Sequence, residues 1–349
     1  MKIKILSTWF VSACLAILLS ACEKEPQQIK LEGKTMGTTY HISYIDDGKI
    51  ENLPKPIEVK KQLDELLKEV NNEMSTYQND SEISIFNRSQ DVDRPFIVSD
   101  DFARVVKEAI RLNKVTEGAL DVTVGPLVNL WGFGPDKRLN KAPTPEQIEE
   151  RAKSVGIEKI RVEEQNNHQI LLKKDPHLYL DLSSIAKGFG VDKVAEHLHK
   201  LGLHNYLVEI GGELRGKGLN IVGKPWQIAI EKPTFEQGSS AEIVVPLRNQ
   251  AFATSGNYRN YFEDEQGNRL SHIIDPKELK PIHHNLASIT VIADTAMTAD
   301  GLSTGLFVLG ADKALEVAER EKLAVFLIIK KGQEYETKMS SEFKRLESN

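Results

Sequence analysis

Apolar and polar positions alternate over 39–44, a period of two that predicts a half-buried strand. The period then lengthens. Across 59–70 apolar residues recur at Leu63, Leu66, Leu67 and Val70, the stripe of a helix that the Asn71-Asn72 pair is expected to break. Ser99 is placed to cap a second helix, with Asp100 and Asp101 at the positive end of its dipole and Phe102, Val105, Val106, Ala109 and Ile110 facing inward. That helix should stop near Glu117-Gly118. Thr144-Pro145-Glu146-Gln147 has capping-box spacing with proline at the first helical position, so a helix is predicted to about Val155, closed by Gly156.

Short strand-like runs dominate the next part of the chain, at 168–172, 178–182, 206–210, 226–230, 243–247 and 286–292. A helix over 185–201 interrupts them. Near the end, 295–309 and 312–320 read as helices and 324–329 as a buried strand. Strands in groups with separate helices predict an α+β fold, mixed sheets with flanking helices, over a regular doubly wound sheet. Gly188-Phe189-Gly190 and Gly216-Lys217-Gly218 lack the third glycine of a dinucleotide-binding fingerprint.

The ends and the charge change this picture. Lys2 and Lys4 precede an apolar run over 5–19 that is short for a membrane span, and Leu19-Ser20-Ala21-Cys22 follows. This is the pattern of an export signal over 1–21 that ends at an acylated cysteine, Cys22, as in bacterial lipoproteins. The polar residues that follow read as a tether, so that 22–30 is the anchored leader and 31–349 the folded part, one domain or two closely packed subdomains. Only Cys14 and Cys22 exist, which leaves the mature chain without a disulfide. A net charge of −6, with no basic stripe interleaved with aromatics, sets nucleic-acid binding aside.

Three segments carry candidate chemistry. Asp181-Leu182-Ser183-Ser184-Ile185-Ala186-Lys187-Gly188-Phe189-Gly190 joins a strand end to a helix start, where free amides, the dipole and Lys187 can face a phosphate; serine capping beside a solvated lysine is the plainer reading. Asp300 and Thr304, four apart, share a helical face and offer two hard oxygens of the kind magnesium takes; surface or capping detail is the commoner reading of such a pair. His272, in Ser271-His272-Ile273-Ile274-Asp275-Pro276, can serve as a base near neutral pH or be a structural histidine. Small or turn-like segments at 35–38, 74–77, 118–126 and 209–213 let backbone approach a ligand, and Met36 and Tyr77 can lie on a flat ring.

Taken in order, these motifs resemble the ApbE family of FAD:protein FMN transferases from about Gly33 to Gly310. The resemblance implies a T-fold-like domain with an FAD site in a cleft, and a magnesium-dependent reaction that cleaves FAD and joins FMN to a threonine or serine through a phosphoester. By motif, Met36, Tyr77, Ala119, Leu120, Asp121, Asp181, Lys187 and Ile273 would line the FAD site. Ala186 through its carbonyl, with Asp300 and Thr304, would hold Mg2+, and His272 would deprotonate the acceptor hydroxyl. Ser255-Gly256-Asn257-Tyr258-Arg259 is also similar to a family segment. Acceptors implied are subunits of membrane redox pumps, the sodium-translocating NADH:quinone reductase or Rnf type, which would place the lipid-anchored chain on the periplasmic side of the inner membrane; Glu23, where aspartate is the usual inner-membrane retention signal, leaves the outer membrane open as the alternative. Some relatives carry two acids where Asp300 and Thr304 stand. An FAD pyrophosphatase and a non-enzymatic flavin-binding lipoprotein remain alternative readings of the same residues.

Overall fold

A computed structural model describes residues 25–135, 142–231, 241–256, 261–263 and 269–347. The export segment, Cys22 and the Asn257-Tyr258-Arg259 part of the last motif lie outside the described residues.

The strands of the central sheet are β1 (Gln27–Thr35), β2 (Thr38–Asp46), β6 (Tyr206–Ile210), β7 (Glu213–Lys217), β10 (Ala251–Gly256), β15 (Leu286–Ala293), β16 (Ala324–Lys331) and β17 (Glu334–Met339). They lie in the order β1-β2-β6-β7-β10-β15-β16-β17, every neighbour antiparallel. β15, but for its last residue, and the first six residues of β16 are buried on both sides because both faces of the sheet are covered. One face packs on α6 (Ala186–Lys200), α7 (Ala296–Leu309) and the helices around them, α1 (Pro56–Met74), α3 (Asp100–Val115) and α8 (Ala311–Glu321). The other packs Phe252, Ile292, Phe326 and Ile328 on Trp226 and Ile228 of the hairpin β8 (Trp226–Glu231) and β9 (Ala241–Leu247), and on Phe343 of α9 (Ser341–Glu347). A small sheet, β3 (Phe96–Val98), β5 (His168–Lys173) and β4 (Ile160–Gln165), lies apart from it in hydrogen bonding. The remaining elements are α2 (Glu82–Arg88), α4 (Gly125–Leu130), α5 (Pro145–Ala152) and the short pairs β11 (Tyr261–Glu263) with β12 (Arg269–Ser271), and β13 (Ile274–Asp275) with β14 (Lys280–Pro281).

Four expectations are corrected. The segment 178–182 is not a strand: Leu178, Leu180 and Leu182 are buried, but apart from one bond, from the Asp181 amide to the Val122 carbonyl at 2.8 Å, its partner from elsewhere in the chain is a side chain. Asn87 Nδ2 donates to the Leu180 carbonyl at 2.9 Å and its Oδ1 accepts from the Leu180 amide at 2.8 Å. The Asn71-Asn72 pair does not break α1, because Asn71 Nδ2 donates to the Leu67 carbonyl at 2.7 Å and Val70 and Met74 keep the last turn buried. The capping box at Thr144 and Gln147 forms, but α5 ends at Ala152, three residues early, and Gly156 opens a short 3-10 turn instead. The tether is shorter than read, since Gln27 already pairs with Asp46. No helix among the described residues is long and apolar enough to cross a membrane.

Where α1 meets α3, Glu73 is half-buried and its Oε2 has no hydrogen-bond partner among the described residues. Burial first, then Asp101, push its pKa up to about 7; Ser99 and Lys193 oppose them and Glu82 adds to them. A raised carboxyl pKa favours folding below the ordinary value and loses that contribution as pH climbs toward 7. Glu73→Gln is therefore expected to stabilise the protein at pH 8 by about 1–2 kcal/mol, discounted for partial exposure, and to change little at pH 4. Urea unfolding at the two pH values checks this.

Candidate active site

The turns and helix starts at one end of the central sheet enclose a cleft of two joined chambers, about 400 and 520 Å3. Ala119, Leu120, Asp121, His272, Ile273, Asp300 and Thr304 line the first, and Met36 and Ala186 the second. Tyr77, Asp181, Ser183 and Lys187 border both. All the candidate site residues among the described part of the chain thus meet in one place, although Ala186 faces the chamber opposite to Asp300 and Thr304.

Gly188 explains how α6 and α7 come close enough to build it. A Cβ on Gly188 would lie 2.2 Å from the Ala296 carbonyl oxygen and 2.8 Å from Asp300 Cβ, so only glycine fits. At this contact the Gly188 amide donates to Asp300 Oδ2 at 2.9 Å. The start of α6 is therefore capped by a carboxylate from α7 and not by Ser183 or Ser184, since Ile185 at the cap position makes no side-chain bond. Lys187 is not a solvated lysine. Its Nζ donates to Glu213 Oε1 at 2.8 Å and stands 3.7 Å from Asp300 Oδ1.

Asp300 and Glu213 are both buried, at 3% and 5% exposure, and share this one cation. Burial raises the Asp300 pKa against the pull of Lys187 and the Gly188 amide. Burial, with Asp300 adding to it, pushes Glu213 up to about 8 although Lys187 opposes. Burial also works against the charge on Lys187, but the two carboxylates outweigh it and hold its pKa above the ordinary range. Glu213 Oε2 has no hydrogen-bond partner among the described residues. Two carboxyls compete for one lysine, so burial makes the cluster retain a proton that a further cation would displace. Ser255 Oγ, 2.9 Å from Ser303 Oγ and 3.3 Å from Thr304 Oγ1, extends the oxygen wall.

Other side chains are fixed by local bonding. Asp121 Oδ1 accepts from the Thr123 amide at 2.8 Å and from its hydroxyl at 2.6 Å; burial nevertheless raises its pKa. The Leu120 amide and carbonyl are taken by Thr116 Oγ1 at 3.0 Å and Asn113 Nδ2 at 2.7 Å, so Leu120 contributes a wall and no free backbone group. Asp181 Oδ1 accepts from the Ser183 amide at 2.9 Å, which holds the turn into α6. Met36 sits in the two-residue turn between β1 and β2 at φ 48°, a strained region for methionine. That turn carries its side chain over the missing Cβ of Gly190, where a methyl would come within 2.8 Å of Met36 Cε. His272 stands at the bend between β12 and β13 and opens on the first chamber.

Comparison with known proteins decides the lineage. A family model described as "ApbE family" matches residues 36–327. The chain is 58% identical to the FAD:protein FMN transferase of Haemophilus influenzae over 98% of each chain, and 50% identical to that of Vibrio cholerae over 96% of this chain and 98% of the relative. The chain belongs to the ApbE family. Its fold superposes on the flavin transferase ApbE from Vibrio cholerae with a TM-score of 0.83 at 48% identity, covering 92% of this chain and 99% of the other. The Pseudomonas stutzeri flavinyl transferase ApbE gives the same TM-score at 35% identity, over 93% and 98%.

Within this ApbE chain the residue that reading by sequence missed is Glu213. It follows Gly211-Gly212, at φ 58° and 101°, the two-residue hairpin turn between β6 and β7, and pairs with the buried Ile210. That pairing turns Glu213 to the buried face, a consequence open to anyone who reads Gly-Gly as a hairpin and counts faces. Asp300, Thr304 and Glu213 on the first chamber are oxygen donors of the kind a magnesium ion takes, while Ala186 lines the second. No group of three His, Cys, Asp or Glu side chains among the described residues is placed to hold a metal, so such a site relies on hydroxyl, carbonyl and substrate oxygens.

Proposed function

We propose that the chain is a magnesium-dependent FAD:protein FMN transferase, and that the meeting of Lys187, Asp300, Thr304 and His272 in one cleft is the observation that carries this reading. FAD spans the two chambers. The apolar walls from Met36, Val70, Met74 and Tyr77 suit a flat ring, and the first chamber, with Lys187, suits the pyrophosphate. Asp300, Thr304 and the Ala186 carbonyl would hold magnesium, which when bound supplies charge that polarises phosphate oxygens.

His272 takes the proton from the acceptor threonine or serine as its oxygen attacks the FMN phosphorus. The bond to the bridging oxygen breaks, and AMP leaves with that oxygen. Lys187, held rigidly by Glu213, neutralises the growing phosphate charge without having to reorganise. Water in place of the acceptor would give FMN and AMP, so pyrophosphatase activity is a side path of the same site.

The acceptors we infer are membrane redox-pump subunits, met from the periplasmic side of the inner membrane, where the acylated Cys22 would anchor the chain. Removal of the ring in His272→Ala should lower transfer about 100- to 10,000-fold and leave FAD affinity within about threefold. Single-turnover transfer and FAD titration check both. Equal loss of binding and transfer would make His272 a structural residue and sink its role as base.

A further inference from the structure

The end of the central sheet opposite the cleft carries an exposed apolar loop that the proposed chemistry does not use. Between β7 and β8, Leu219 bridges Pro225, the Asn220 amide donates to the Lys224 carbonyl at 2.8 Å and the Gly223 amide to the Asn220 carbonyl at 2.9 Å. Asn220 Oδ1 accepts from the amides of Val222 and Lys224, both at 3.1 Å. A loop so bonded has little freedom to fold its side chains back. Yet Leu219, Ile221 and Val222 are 45%, 42% and 71% exposed. Neighbouring apolar side chains held rigidly in water mark a contact surface.

Charge selects the kind of surface. Lys224 is exposed on the loop, and Lys217 precedes it. Lys200 ends α6 on the adjoining turn, and Arg248 is exposed beside Asn249, whose Oδ1 accepts from the Gly218 amide at 3.0 Å. The acids at this end, Glu25 before β1, Asp46 and Asp47 where β2 stops and Glu51 beyond them, lie on the β1–β2 side, while the loop itself is flanked by Lys217, Lys224, Lys200 and Arg248. An apolar tip among lysines and an arginine fits the interface of an anionic bilayer.

The path toward Cys22 leaves the fold at this same end. Gln27 pairs with Asp46 and Gln28 with Ile45. The Ile45 amide donates to the Asn205 carbonyl at 2.9 Å, and Asn205 Oδ1 accepts from the Leu219 amide at 2.8 Å. The start of β1 and the loop are thus about three strand spacings apart, on the order of 15 Å. Cys22 can stand no farther than about 17 Å from Gln27 even at full extension. The cleft turn at Met36 lies a whole strand away, about 27 Å along β1.

We propose that this loop inserts Ile221 and Val222 into the membrane interface, so that anchor and loop together grip the bilayer and the cleft opens away from it, about one strand length out. The proposal rests on the lipid-anchor reading of Cys22. Because Cys14 and Cys22 are the chain's only cysteines, a cysteine added to the processed, acylated protein is its one free thiol. Val222→Cys and, as a control, Ile97→Cys on β3 are labelled with a polarity-sensitive fluorophore. The full lipidated chain is then placed in vesicles of phosphatidylethanolamine and phosphatidylglycerol, with and without nitroxide-bearing lipid. The label at 222 should shift to the blue and lose about half its emission or more to the nitroxide, while the label at 97 does neither.

If the protein sediments with vesicles but 222 behaves like 97, the loop proposal is overturned and the anchor stands. A label at 222 that is shielded from aqueous iodide yet blind to lipid nitroxide would point to a protein partner and equally overturn it. Protein left in the supernatant would refute the anchor and the proposal with it. A second variant, Ile221→Ser with Val222→Ser, should slow transfer to a membrane-embedded acceptor about tenfold and leave FAD hydrolysis in detergent unchanged.

Discussion

Asp300→Asn is expected to abolish FMN transfer, by about 1,000-fold or more, without loss of folding stability. The carboxylate does two jobs that this change separates. Its Oδ2 accepts the Gly188 amide that starts α6, and its charge, shared with Glu213 over a single lysine, is the donor proposed for magnesium. Asparagine keeps an acceptor for the amide and removes one buried negative charge, so metal-free stability should stay within about 1 kcal/mol of wild type or rise. The wild-type protein should gain thermal stability on adding magnesium and the variant should not. Asp300→Ala, which also strips the amide of its partner, should lose the same activity and about 1–3 kcal/mol besides. Calorimetry with and without magnesium, beside a transfer assay, reads all of these. A variant that keeps transfer would remove Asp300 from the metal site.

Gly188→Ala is expected to destabilise the protein severely. The added methyl meets the Ala296 carbonyl, 2.2 Å from its oxygen and 2.6 Å from its carbon, and backbone on a packed helix cannot step aside as a side chain tip can. The helices α6 and α7 must part, at a cost of about 3 kcal/mol and roughly 5–10 °C in Tm, and Asp300 moves away from Lys187 as they do. Gly190→Ala two residues on is the contrast. Its nearest neighbour is the flexible Met36 Cε at 2.8 Å, so stability should hold within about 1 kcal/mol while FAD binding weakens as Met36 is pushed from its place. Thermal melts and FAD titrations of the pair check the argument, and equal melting temperatures would contradict it.

What the sequence made legible follows from where the information is local. Helix caps are local: Ser99 and Thr144 each accept the amide three residues on, as their spacing implied. Alternation is local too, and the strand over 206–210 falls where its pattern placed it. The run at 178–182 alternates just as well, yet its main partner is the side chain of Asn87, distant in sequence and silent in any pattern. β7 and β10 were missed because glycine, charge and small residues fill them; β7 follows β6 through the Gly211-Gly212 hairpin, whereas β10 takes its place from β7 and β15, both more than thirty residues away. In the candidate site, the motif residues assemble as a set. What no motif revealed is that Asp300 caps α6 and that Glu213 shares Lys187 with it. Both are contacts between elements more than twenty residues apart, fixed by the close approach that Gly188 permits.

The measurement that bears most directly on the account is the mass of an acceptor. A redox-pump subunit with an exposed threonine is incubated with the enzyme, FAD and magnesium, and its intact mass is determined after denaturation. The account predicts a gain of one FMN phosphoester on that threonine, one AMP released for each, and neither product with Asp300→Asn or without magnesium. An acceptor of unchanged mass beside accumulating FMN and AMP would contradict it and make the protein a pyrophosphatase.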